Sequence, residues 1–90
     1  MKEKSWSALM EQYGIPILKR DALLKYLLYG YNPGSFLKAV LSNDLREAYA
    51  WADCESQALI GNYVRFLYNE APIASWGSEE NFTTWRGLDG

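Results

Sequence analysis

The chain has 90 residues, 49% apolar and 22% charged, a globular composition that excludes disorder and fits one domain over residues 1–90. A net charge of −2, with no Lys/Arg-rich run, argues against a nucleic-acid partner, because neutralising phosphates takes clustered cations. Seven Tyr and four Trp are a heavy aromatic load, since a chain this short buries only about 60–65% of its unfolded surface.

The start, Met1-Lys2-Glu3-Lys4-Ser5, has no apolar run behind its charges, which predicts no signal peptide. No apolar stretch approaches the ~20 residues of a membrane span, so a cytoplasmic protein with no membrane partner is expected. A first helix is predicted over residues 5–13. Ser5 or Ser7 can cap it, Trp6, Leu9, Met10 and Tyr13 fall on one face, and Gly14 can close it. Pro16 suits the first position of the next helix.

The second predicted helix covers about residues 17–29. Its stripe is Leu23, Leu24, Leu27 and Leu28, widened by Tyr26 and Tyr29, and Gly30 ends it. Tyr31-Asn32-Pro33-Gly34 reads as a turn. Ser35 is placed to cap a third short helix whose core face is Phe36, Leu37, Val40 and Leu41. Ser42 or Asn43 interrupts it, and Asn43 or Asp44 caps a fourth. There, Asp44 and Glu47 have capping-box spacing. The expected buried stripe is Leu45, Ala48, Tyr49 and Ala52, with Arg46, Glu47, Ala50 and Trp51 facing out.

The longest helix is expected from Glu55 to about Glu70, with Leu59, Ile60, Tyr63, Val64, Phe66 and Leu67 on its apolar face. Gly61 lies inside it, at about 1 kcal/mol relative to Ala, which predicts close helix packing at that point. Ala71-Pro72 stops the helix. In the tail, Trp76-Gly77 is a turn, Ser78 caps a last short helix, Phe82 and Trp85 share a face, and Gly87 ends it. The period-two alternation of a strand never persists. The fold class is therefore all-α, a compact irregular bundle of four to six short helices.

Chemistry is constrained first by the absence of His, the usual general base and metal ligand. The single Cys54 has no imidazole to activate it and can form neither an internal disulfide nor a thiolate cluster. Asp44 with Glu47, and Asp53 with Glu55, could pair for acid–base work, but helix capping accounts for both aspartates. No DxD, EF-hand, GxGxxG or P-loop spacing occurs. No catalytic residue, metal or cofactor is expected. Tyr26, Tyr63 and Phe66 fall on core stripes. Trp51, Trp76, Trp85 and Tyr31 are harder to bury together, and with Arg46 and Glu47 they are the candidate partner-binding residues. They would line an oligomer seam, a partner surface or a base-stacking pocket with Arg46 or Arg65 nearby. The structural alternative is a satellite cluster in which the tail folds over the fourth helix.

Pro33-Gly34-Ser35-Phe36-Leu37, Ala39-Val40-Leu41, Asn43-Asp44-Leu45, Ala52-Asp53, Phe66-Leu67-Tyr68-Asn69, Pro72 and Trp76-Gly77-Ser78 resemble a group of small accessory proteins of tailed bacteriophages and prophages. The resemblance runs over roughly residues 15–86, and order and spacing carry it. It implies an accessory role without a known reaction, such as binding and blocking a host protein, including a component of host defence. Residues and resemblance together set the expectation of a non-enzymatic protein that binds a host or phage protein and forms homo-oligomers. The alternative is a protein that sequesters a nucleotide signal.

Overall fold

The computed structural model describes residues 5–88. Met1 to Lys4, on which the signal-peptide expectation falls, and Asp89 and Gly90 lie outside them. The described chain is all α-helical with no strand: α1 (Trp6–Gln12), α2 (Ile17–Tyr29), α3 (Ser35–Leu41), α4 (Leu45–Trp51), α5 (Cys54–Glu70) and α6 (Glu79–Thr84), with a 3₁₀ turn at Ile73–Ser75. Within the described residues, no helix is long and apolar enough to cross a membrane.

Helical spacing of apolar side chains selects the core. Leu23, Tyr26 and Leu27 of α2 and Ile60, Tyr63, Phe66 and Leu67 of α5 are buried, and α3 contributes Phe36, Leu37, Val40 and Leu41. Leu24 and Leu59 sit at the margins, and Tyr29 and Val64 are exposed. Rings meet edge to face inside the core: Phe36 with Tyr63 at 5.4 Å and Tyr13 with Phe66 at 5.8 Å between centroids.

The α3–α4 corner is built by its hydrogen bonds. The Asp44 N–H donates to the Ala39 carbonyl at 2.8 Å, and the Asn43 N–H to the Val40 carbonyl at 3.1 Å. This is the pairing of a Schellman stop, with Asn43 in the left-handed position at φ 62°. Asp44 then starts the next helix, its carboxylate accepting from the Glu47 N–H at 3.2 Å. Asp53 does the same for α5 through the Ser56 N–H at 2.7 Å, and Ser78 for α6 through the Asn81 N–H at 3.0 Å.

The tail returns across α2 and α3. The Gly77 N–H donates to the Leu41 carbonyl at 2.8 Å, and the Leu88 N–H to the Leu27 carbonyl at 2.9 Å. Phe82 stacks on Tyr26 at 5.2 Å, with ring planes 9° apart. These bonds fasten the tail to α2 and α3, whereas the satellite-cluster alternative places it over α4.

Several local expectations differ. Pro16 stands at the N-cap of α2, one residue before its first helical position, and Ser5 precedes α1 without a side-chain cap bond. Ser35 is the first helical residue of α3 and its hydroxyl caps nothing; Gly34 holds the cap position. Gly61 packs against no neighbouring helix: a methyl group there would meet only the Arg65 Nη1, at 3.9 Å. Helix α6 ends at Thr84, because Trp85 adopts extended backbone, and Gly87 lies beyond it. In α4, Leu45 and Tyr49 face solvent; of the expected stripe only Ala48 is buried and Ala52 half-buried. A helix of seven residues resting on α3 and α5 needs only one small contact residue to seat it.

Candidate partner-binding site

Helix α4 turns its bulk outward. Leu45 is 62% exposed, Trp51 61% and Tyr49 46%, while Ala48 is buried. The reason is local: Asp44 fixes where the helix begins, and the Asn43 turn fixes its direction relative to α3. Ala48 then meets the core, and the residues on either side of it point away.

Trp51 is held by its own helix. Its indole Nε1–H donates to Glu47 Oε1 at 3.2 Å, one turn earlier. Both side chains line an open cleft of about 620 Å³ between α3, α4 and the start of α6. The other charged groups in its wall are Lys38, Asp44 and Glu79. Lys38 leans toward Phe82, with Nζ 6.0 Å from the ring centroid. The Asp44 carboxylate is engaged as the α4 cap. Three carboxylates therefore face one ammonium, and the wall is net negative with an exposed indole at its edge.

The remaining candidates are dispersed. Arg46 is exposed on α4 but does not line the cleft. Trp76 is half-buried and packed on the core, and its carbonyl accepts from Asn81 Nδ2 at 2.9 Å. Trp85 is also half-buried; its Nε1–H donates to the Tyr26 carbonyl at 3.0 Å. Both rings thus serve the tail's attachment. Tyr31 is exposed past the end of α2, its ring 5.5 Å from that of Tyr29. Arg65 lies on α5 and donates to Asn62 Oδ1 at 2.9 Å.

Two cleft residues were not legible as such. Lys38 stands off the apolar face of α3, and Glu79 reads as a favourable charge in the first turn of α6. Only the return of the tail across α3 brings Glu79 to Lys38 and Glu47. Cys54 is exposed in the first turn of α5. Among the described residues, no group of three or more His, Cys, Asp or Glu is arranged to hold a metal ion. No protein-family model, no curated protein and no solved structure matches this chain.

Proposed function

We propose that this chain is a non-enzymatic binding protein that docks on another protein through α4 and its cleft, with Trp51 at the centre. The observation that carries the reading is that Leu45 and Trp51, both more than half exposed, line the same cleft on a helix whose only buried residue is Ala48. Grouped exposed apolar side chains rimmed by charge are the usual composition of a docking surface, and Trp is prominent among its energetic anchors. The phage-protein resemblance supports an accessory role in the cytoplasm of an infected or lysogenic bacterium, occupying and blocking a host protein such as a defence component. Self-association belongs to the same reading, through exposed apolar side chains outside the cleft such as Leu18, Tyr68 and Ile73.

A nucleotide-sequestering role would need Arg46 or Arg65 beside Trp51 to meet phosphate. Neither lines the cleft, and its carboxylates would repel the anion. A protein partner is the better fit.

The test is affinity capture from host lysate with the wild-type chain, Trp51→Ala and, as a matched control, Trp85→Phe. A partner retained by wild type and Trp85→Phe but lost with Trp51→Ala supports the reading. Capture indifferent to Trp51→Ala refutes it. Size-exclusion with light scattering settles self-association, and a strict monomer removes that part.

A further inference from the structure

The charge and shape of the cleft narrow the partner's chemistry. Its wall combines an exposed indole with Glu47, Asp44 and Glu79 against Lys38 alone. The indole is oriented by its bond to Glu47 at 3.2 Å, on a residue 61% exposed to whatever docks. Its volume of about 620 Å³ accommodates a long side chain with its flanking backbone. Lys38, the one opposing charge, is drawn toward Phe82. A planar cation satisfies every feature at once: it stacks on an indole face and meets a carboxylate with paired N–H donors. An ammonium lacks the plane, and an anion meets like charge.

We propose that the α3–α4–α6 cleft seats an arginine side chain of the partner protein, its guanidinium stacked on Trp51 and paired with Glu47 and Glu79. This rests on the docking reading above and adds the chemistry of what is docked. Arginine on the partner also makes the association sensitive to salt, because the pairing carboxylates lie in an open cleft.

The experiment follows the indole N–H resonances of the full ¹⁵N-labelled chain during titration with acetyl-Ser-Gly-Arg-Gly-Ser-amide. Its twin carries citrulline, neutral and of the same shape, in place of arginine. Saturable movement of the Trp51 resonance with the arginine peptide is expected, weakened about fivefold or more by citrulline. The Glu47→Gln/Glu79→Gln double variant should show the same weakening, with an unmoved Trp85 resonance reporting an intact fold. A Trp51 resonance that ignores the arginine peptide, that responds equally to citrulline, or that moves instead with inorganic phosphate overturns the proposal. The two readings fail separately in lysate capture. A partner lost with Trp51→Ala but kept by the double variant overturns the arginine seat and leaves docking standing. A partner kept by Trp51→Ala overturns docking itself.

Discussion

The Tyr26 hydroxyl donates to the Ser75 carbonyl oxygen at 2.7 Å across 49 residues of chain, inside the core. Around that bond Tyr26 also carries the stacked Phe82 ring and, on its carbonyl, the Trp85 indole N–H at 3.0 Å. One residue of α2 thus holds the 3₁₀ turn, α6 and the segment after it. Tyr26→Phe keeps the ring contacts and strands a buried acceptor, so a loss of about 1–2 kcal/mol is expected by urea unfolding with an unchanged slope. A loss below about 0.5 kcal/mol would mean that ring stacking alone retains the tail.

Tyr63 makes the opposite case. It is fully buried, yet its hydroxyl has no hydrogen-bond partner among the described residues. Removing an unpaired buried hydroxyl relieves desolvation and leaves the packing against Phe36 intact. Tyr63→Phe should therefore leave Tm unchanged or raise it, by up to about 1 kcal/mol in stability. Burial, reinforced by the Asp53 and Glu55 charges, pushes the Tyr63 phenol up to about 12. Burial also holds Tyr26 well above its ordinary value. Folded values above the unfolded 10.0 favour the neutral phenol in the native state. That stability is complete below the unfolded value and falls as pH climbs from there toward the folded one. Tm measured across that alkaline range should drop for the wild type and drop less for Tyr63→Phe.

Two glycines in or at the ends of helices should respond with opposite sign. Gly61 is in ordinary helical backbone inside α5, and an added methyl meets only the Arg65 guanidinium, at an ordinary contact distance of 3.9 Å. Gly61→Ala should stabilise by about 0.5–1 kcal/mol, through helix propensity and a less free unfolded chain. Gly30 closes α2 at φ 77°, and a methyl there would lie 3.0 Å from the Trp85 carbonyl oxygen and from the Arg86 backbone. Gly30→Ala should destabilise by about 1 kcal/mol or more, combining a left-handed backbone with a contact that only main-chain movement can relieve. Paired chemical denaturation of both variants checks the signs.

Asp53 supplies an acid-side counterpart. Its carboxylate is held below its ordinary value chiefly by accepting from the Ser56 N–H at the start of α5, with Lys19 adding a smaller electrostatic pull. A depressed folded value gives stability that is present above the unfolded value of 3.8 and is lost as pH falls through the folded one. Asp53→Asn keeps a capping oxygen but cannot titrate. Its Tm should therefore fall less steeply than that of the wild type as pH drops below that value.

Legibility follows the range of the interaction. Local signals set the helix bounds: α2 occupies Ile17–Tyr29 as its stripe and Gly30 predict, and Asp44, Asp53 and Ser78 cap where their spacing places them. Helical period also finds Leu23, Ile60, Tyr63 and Phe66 in the core. It misplaces Leu45 and Tyr49, because α4 is too short and too lightly seated for period to show which side is covered. The cleft depends on the tail's return, fixed by Tyr26 to Ser75 and Gly77 to Leu41. Bonds between residues so distant in sequence leave no local pattern, so Lys38 and Glu79 could not be matched to Trp51 beforehand.

Trp51 and Trp85 should separate stability from binding. Trp51 is 61% exposed and its indole N–H bonds to Glu47 of its own helix, so Trp51→Ala should change stability by less than about 0.5 kcal/mol. Trp85 is packed on the core and its N–H bonds to the Tyr26 carbonyl. Trp85→Phe removes that donor and some volume, for a loss of about 1–3 kcal/mol. Thermal melts of both variants, read beside their capture of a partner, give the decisive pattern: a fully stable Trp51→Ala that no longer binds, and a weakened but folded Trp85→Phe that still does. Were Trp51→Ala to unfold the chain, α4 would be a structural strut and its exposed ring no longer an argument for docking.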